Sequence, residues 1–149
     1  MNDIATNTAA IALRDDLLRD MMRFGETGYP EEVVGFLFGI AQQNEIILHH
    51  LLKVENHLEA DVRSHRYLIS PTDWLRSEME ATRLKLDVVG VFHTHPDHPS
   101  KPSFVDLEFA LPNLVYVIAA IHQRKVVSMQ AWKLRDDRVQ FDECLIHTV

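Results

Sequence analysis

Six short apolar runs constrain the architecture of this chain before any single residue does. They are "VVGFLFGI" (33–40), "EIILHHLL" (45–52), "DVVGVFH" (87–93), "LVYVIAAI" (114–121), "KVVSMQAWKL" (125–134) and "RVQFDECLI" (138–146). Runs of seven to ten residues bounded by polar turns are of strand length. The first two, separated by one polar turn, read as a hairpin.

Two other segments carry helical spacing instead. Residues 9–24 place Leu13, Leu17, Met21 and Phe24 on one side with Arg and Asp on the other, and Gly25 reads as the stop. Residues 70–86 open with Ser70 as cap, Pro71 at the first helical position and Asp73 completing a capping-box pattern. Leu75, Met79 and Leu86 then follow helical spacing. The order is helix, hairpin, helix, strand, short helix, antiparallel strands. That predicts an α/β (α+β) fold, a mixed sheet flanked by helices. With no internal repeat, linker or low-complexity stretch, 1–149 reads as one domain, long enough to bury a core.

Composition narrows the function classes. A hydrophobic content of 46% with 25% charged residues fits a soluble globular protein, and no run approaches the ~18 apolar residues of a membrane span. Twenty-two acids against 15 bases leave a net charge of −7, which disfavours a nucleic-acid backbone as partner. The N-terminal "MNDIATNTAAIALRDD" has no basic region leading into an apolar core, so no secretory leader is expected. The single cysteine, Cys144, excludes an internal disulfide and fits a reducing cytoplasm. It reads as a small residue on the last strand. As a nucleophile with His147 it would lack an orienting acid.

The chemistry gathers in "GVFHTHPDHPSKPSFVD" (90–106). Side chains alternate along a strand, so His93 and His95 share one side while Thr94 faces the other. Two imidazoles projected from a strand end can grip one metal ion, although nine histidines in 149 residues make a lone His-x-His pair expected often enough by chance. Pro96 and Pro99 stop the strand, Pro102 stiffens the approach to a new helix, and that helix returns Asp106 toward the strand end. Two histidines and a carboxylate leave a fourth tetrahedral position open, the arrangement of a catalytic zinc site. Ser103-x-x-Asp106 is equally a capping-box pattern. The residues alone leave capping and ligation both open: a cap faces backbone amides, a ligand faces the histidines.

"HTHPDHPSKPSFVD" resembles the signature of the JAMM (MPN+) zinc metallopeptidases, with Ser and Asp eight and eleven residues after the second histidine. "YPEEVVGFLFG", "ENHLEADVRSHRYLISP", "YVIAAI" and "VSMQAWKL" resemble further family segments, so about residues 10–146 are covered. The resemblance implies the cytidine-deaminase-like JAMM/MPN fold. It also implies one zinc per chain on His93, His95 and Asp106, Glu32 as general acid/base and Ser103 as oxyanion donor. Glu32, rather than Glu31, matches the family's glutamate three residues before Gly35. Members often carry cysteine or serine just after it, where Val33 and Val34 stand here.

The implied activity is peptidase chemistry in the cytoplasm, trimming residues after the C-terminal Gly-Gly of a ubiquitin-fold sulfur-carrier protein of the ThiS/MoaD type. Two alternatives stand beside it: an isopeptidase that frees a ubiquitin-like modifier from lysine, and an inactive scaffold of the metal-free kind. No nucleic-acid or membrane partner is expected, and a homodimer stays open. The remaining histidines read as bystanders. His98 is an exposed loop residue, His49 and His50 face opposite ways, and His57, His65, His122 and His147 sit at turns or ends. Trp74 and Trp132 read as core or half-buried rings, and Gly35 and Gly39 as points of close backbone approach.

Overall fold

A computed structural model describes residues 8–149; the first residues of the N-terminal stretch read above lie outside them. The elements run β1 (Ala10–Leu13), α1 (Asp15–Gly28), β2 (Val34–Gln42), β3 (Glu45–Val54), α2 (Pro71–Arg83), β4 (Asp87–Pro96), α3 (Phe104–Phe109), β5 (Val115–His122), β6 (Lys125–Leu134) and β7 (Phe141–Thr148). All six apolar runs form strands. They join β1 in one closed barrel, in the order β1-β3-β2-β4-β5-β6-β7. The expected mixed sheet flanked by helices is present, and its closure comes from β1, which pairs parallel with both β3 and β7.

β1 corrects the expected helix over 9–24. Residues 10–13 are extended, and the helix starts at Asp15 with Arg14 as N-cap. Leu13 fits the helical stripe by spacing, yet backbone partners on both sides hold it in a strand, and Ile11, Ala12 and Leu13 are all buried. Asp15 and Asp16 then lie in the first turn, where acidic side chains complement the positive end of the helix dipole.

Gly25 is no stop, since α1 runs on to Gly28. It continues the buried stripe of Leu17 and Met21 and lets the helix close on the sheet: a Cβ there would stand 2.9 Å from Thr94 Cγ2. Gly35 and Gly39 do mark close backbone approach, as expected. An added Cβ would come within 2.8 Å of the Leu52 carbonyl oxygen at Gly35 and would overlap the Ile47 carbonyl oxygen at Gly39.

The second helix starts where expected, with Ser70 Oγ accepting from the Asp73 amide at 3.0 Å and Pro71 in the first turn, but the Asp73 carboxylate faces His57 and Arg76 instead of completing the box. Its buried face is a correction. Asp73, Ser77 and Ala81 face inward, while Leu75 and Met79 are 63% and 65% exposed. Small residues let α2 approach closely, and Trp74 sets its ring edge-on to Phe36, with centroids 4.9 Å apart. Ser77 donates its hydroxyl to the Trp74 carbonyl at 2.7 Å, so burying it leaves that group paired.

β4 is the central element. It lies antiparallel to β2 and parallel to β5, and residues 88–96 are buried throughout. Side-chain alternation divides the apolar interior in two. One cluster joins Leu37, Phe92 and Val117 to Leu17 and Met21 of α1; the other joins Phe36, Val91 and Tyr116 to Ala81 of α2, with Leu107 of α3 packed against it. Among the described residues no helix is long and apolar enough to cross a membrane.

Candidate metal centre

The strand extends past its expected end to Pro96, so His93, Thr94 and His95 are all held by ladder pairing: His93 opposite Val34 on one side and Ile118 on the other, His95 opposite Ala120. The two imidazoles lie 5.1 Å apart by centroid on the same side. Thr94 projects to the other side and accepts the Val33 amide on Oγ1 at 2.9 Å, while its own amide donates to the Val33 carbonyl at 3.2 Å. That pair of bonds draws the segment carrying Glu32 against the histidine strand.

Glu32 is 5% exposed, with its neighbour Glu31 turned outward toward Arg63 at 3.5 Å. Ligand atoms of Glu32, His93 and His95 all lie within 4.8 Å of one another. Asp106 arrives from α3 and spans the two histidines, Oδ2 at 3.0 Å from His95 Nε2 and Oδ1 at 3.3 Å from His93 Nε2. The latter contact falls short of hydrogen-bond geometry, and His93 Nδ1, His93 Nε2 and Glu32 Oε1 are buried with no hydrogen-bond partner. Buried polar atoms left unpaired are costly, so three in one cluster point to a group that would satisfy them. Imidazoles and carboxylates are the donor set of a divalent transition metal, and the residues present fit one.

Asp106 also caps its helix. Its Oδ2 accepts the Ser103 amide at 2.8 Å, and Ser103 Oγ accepts the Asp106 amide at 3.1 Å, a reciprocal capping box. Capping and facing the histidines are thus compatible. Ser103 accepts through its oxygen, which leaves its O–H proton to donate elsewhere.

His95 Nδ1 donates to the Pro99 carbonyl at 2.7 Å. A proton fixed there turns the Nε2 lone pair toward the cluster, the usual support of a metal-binding imidazole. The loop is itself anchored. The hydroxyl of Ser100 is 2.7 Å from Ser128 Oγ and donates to Gln130 Oε1 at 2.6 Å, and its carbonyl accepts from Trp132 Nε1 at 2.9 Å. His98 is exposed on the same loop, and His57 and His147 pair with Asp73 and Glu45 away from the cluster.

Burial sets the electrostatics. Desolvation, with the nearby charge of Asp106, pushes Glu32 up to about 8 against the pull of His95 and Arg66. Burial would raise Asp106 as well, but the charge of His93, the hydrogen bond with His95 and the Ser103 amide hold it far below the usual carboxylate range. Burial lowers His93. For His95 the same burial is outweighed by Asp106 and the Pro99 carbonyl, so it titrates above the ordinary range. Beside the cluster lies a cavity of about 370 Å³. Leu58, Leu68, Ile69, Trp74, Phe109 and Tyr116 give it apolar walls, and it shares Ser103 and Asp106 with the centre.

The sequence profile described as prokaryotic homologs of the JAB domain matches residues 14–135. The chain belongs to the prokaryotic JAB-domain family. Among curated relatives, a desampylase of Pyrococcus furiosus is 36% identical over 77 residues, which span 52% of this JAB-domain chain and 50% of the relative, about half the length of each. A solved protein of Salinibacter ruber is 34% identical, with 93% of this chain and 91% of that one covered and a TM-score of 0.71. A protein of Desulfitobacterium hafniense superposes with a TM-score of 0.81 over 93% and 92% of the two chains; at 22% identity it bears on the fold alone.

Several residues that shape this JAB-domain centre escaped the sequence reading. The hydroxyls of Thr94 and Ser100 and the amide of Asn56 act through distant partners, and nothing local flags them. Thr94 could have been noticed as the residue between two histidines on a buried strand, where a polar side chain needs a partner.

Proposed function

We propose that this chain is a zinc-dependent amide hydrolase that cleaves at the C-terminal tail of a ubiquitin-fold protein. The observation that carries the reading is Glu32: a buried carboxylate with one unpaired oxygen, pushed up to about 8, beside two strand-borne histidines bridged by Asp106. A scaffold has no use for such a set, because burying unpaired ionisable groups destabilises a fold.

His93, His95 and Asp106 would hold the ion, which supplies Lewis acidity, acidifying water and polarising a carbonyl. Glu32 accepts the proton of the attacking water on Oε1 and passes it to the leaving amine, a role suited to a group titrating near the working pH. Ser103 donates its free O–H toward the developing oxyanion, a contact typically worth ~3 kcal/mol when preorganised. The apolar cavity receives a nonpolar side chain of the substrate tail, and the proximity of Ser103 and Asp106 brings the scissile bond to the centre.

Two substrates are compatible with this reading. Likeness to a desampylase favours an isopeptide bond between a ubiquitin-like protein and a lysine. The resemblance of its motifs to the JAMM metallopeptidases admits a second substrate, a sulfur-carrier protein trimmed after Gly-Gly in the cytoplasm. Intact-mass analysis with both substrates, a lysine-linked conjugate and a Gly-Gly-extended carrier, separates them. Zinc-loaded protein is expected to cleave at least one, chelation to abolish cleavage, and Glu32→Gln to slow it on the order of 10²–10⁴-fold. Intact substrates with a zinc-loaded protein, or equal rates for wild type and Glu32→Gln, would overturn the assignment.

A further inference from the structure

Asn56 lies just past β3, outside the metal cluster and with no role read for it in the sequence, yet its side chain makes four hydrogen bonds. Nδ2 donates to the Glu32 carbonyl at 3.0 Å and to the Arg66 carbonyl at 3.1 Å. Oδ1 accepts the amides of Leu58 and Leu68, each at 3.2 Å. Two donors and two acceptor sites are the full capacity of a primary amide, so every one is used. Aspartate would set a carboxylate against two carbonyls, and glutamine would overshoot by a methylene.

The partners define a junction. Glu32 is tied on both sides of its peptide unit to this segment, since its amide donates to the Arg63 carbonyl at 2.7 Å. Residues 57–68 close into a loop through Asn56 and through the His57 amide, which reaches the Leu68 carbonyl at 3.1 Å. That loop walls the apolar cavity with Leu58, Arg66, Tyr67 and Leu68. Tyr67 in turn lays its ring 4.7 Å from that of His93. One amide therefore meets the backbone of the proton carrier and the wall of the cavity.

We propose that Asn56 is a positioning residue: it fixes the Glu32 carboxylate at the histidine pair and couples that placement to the 57–68 loop. The proposal rests on the functional reading above for its kinetic consequence, but not for its structural one. Asn56 touches neither histidine nor Asp106, so its loss acts on the proton-transfer step through Glu32 and leaves the ion on those three residues.

The test uses full-length Asn56→Asp, with Asp61→Asn, an exposed change on the same loop, as control. Asn56→Ser carries the same readouts should Asn56→Asp fail to fold. In the metal-free protein, amide hydrogen exchange at Glu32 and Val33 is expected to accelerate at least tenfold in the Asn56 variant and to stay unchanged in the control. With zinc, kcat is expected to fall at least tenfold while KM stays within threefold and zinc stoichiometry holds at wild type. Unchanged exchange at Glu32, a wild-type kcat, or a kcat loss matched by zinc loss would overturn the proposal. If wild-type protein cleaves neither substrate, the functional reading fails on its own, and the exchange measurement still decides whether Asn56 holds Glu32 in place.

Discussion

Replacing Gly25 by alanine sets two opposed effects against each other at the back of the histidine strand. In a helix interior the change ordinarily gains about 1 kcal/mol, because glycine loses more backbone entropy on folding. Here the new Cβ would stand 2.9 Å from Thr94 Cγ2 and 3.3 Å from Ile121 Cδ1. Carbon atoms in contact prefer roughly 3.5–4.0 Å, so the first approach is too close by at least half an ångström. The end of Ile121 can swing aside. Thr94 cannot, because its Oγ1 holds the Val33 amide at 2.9 Å and a β-branched side chain has little freedom at χ1.

Overpacking of this kind typically costs about 1–3 kcal/mol, which outweighs the helix gain. Gly25→Ala is therefore expected to destabilise the protein by up to about 2 kcal/mol, against the usual trend for this substitution. Thr94→Ser removes only the methyl and keeps the hydroxyl. In that background Gly25→Ala should recover its gain, giving a coupling of about 1–3 kcal/mol across the double-mutant cycle. Urea unfolding of the four proteins, followed by circular dichroism, measures it. Equal stabilisation by Gly25→Ala in both backgrounds would show that α1 does not press on Thr94, and the steric argument would be wrong.

Two further outcomes follow from buried titratable groups. In metal-free protein the Glu32 carboxyl, with a folded value of about 8 against 4.5 for the free group, contributes stability that is fully present below about pH 4.5 and lost as pH rises through about 8. The urea midpoint of chelator-treated wild type should fall between pH 5.5 and 8.5 more steeply than that of Glu32→Gln, and parallel profiles would refute the burial argument. Cys144 is 2% exposed and burial pushes its thiol up to about 11, so a thiol-specific reagent at pH 8 should leave native protein unlabelled and label it fully after denaturation. Rapid labelling of native protein would mean that β7 opens readily from the barrel.

What could be read from the sequence, and what could not, divides along physical lines. The six longer strands were legible because an apolar run of seven to ten residues between polar turns has few other ways to be buried. β1 was not, because four residues leading directly into a helix show no period of their own. Their extended form depends on pairing with residues far along the chain, 45–47 and 145–148. The buried face of α2 is hidden from hydrophobic spacing for a related reason. Hydrophobicity picks out Leu75 and Met79, but close docking on β4 selects the small side chains of Ser77 and Ala81.

In the candidate site, the shared side of His93 and His95 followed from strand alternation. Glu32 was distinguishable from Glu31 only by resemblance to a known family. The backbone gives the physical reason for the asymmetry: hydrogen bonds from Asn56 and to the carbonyl of Arg63 hold the Glu32 peptide unit, and Glu31 is left at the surface. Such bonds span 24 residues for Asn56 and 61 for Thr94, separations at which a sequence carries no local trace.

Capping and ligation by Asp106 do not compete, and the geometry gives the reason. A carboxylate has two oxygens and about four acceptor sites. Oδ2 carries the cap, accepting the Ser103 amide at 2.8 Å, while Oδ1 faces His93 at 3.3 Å without a hydrogen bond and is the oxygen left for an ion. α3 is only six residues long, and a helix of that length has little stability by itself. Its reciprocal cap with Ser103 and the packing of Leu107 hold it in place. The same two residues that start the helix are then the ones it delivers to the centre. A short capped helix after a proline-rich turn is a compact way to return a hydroxyl and a carboxylate to the strand end they left.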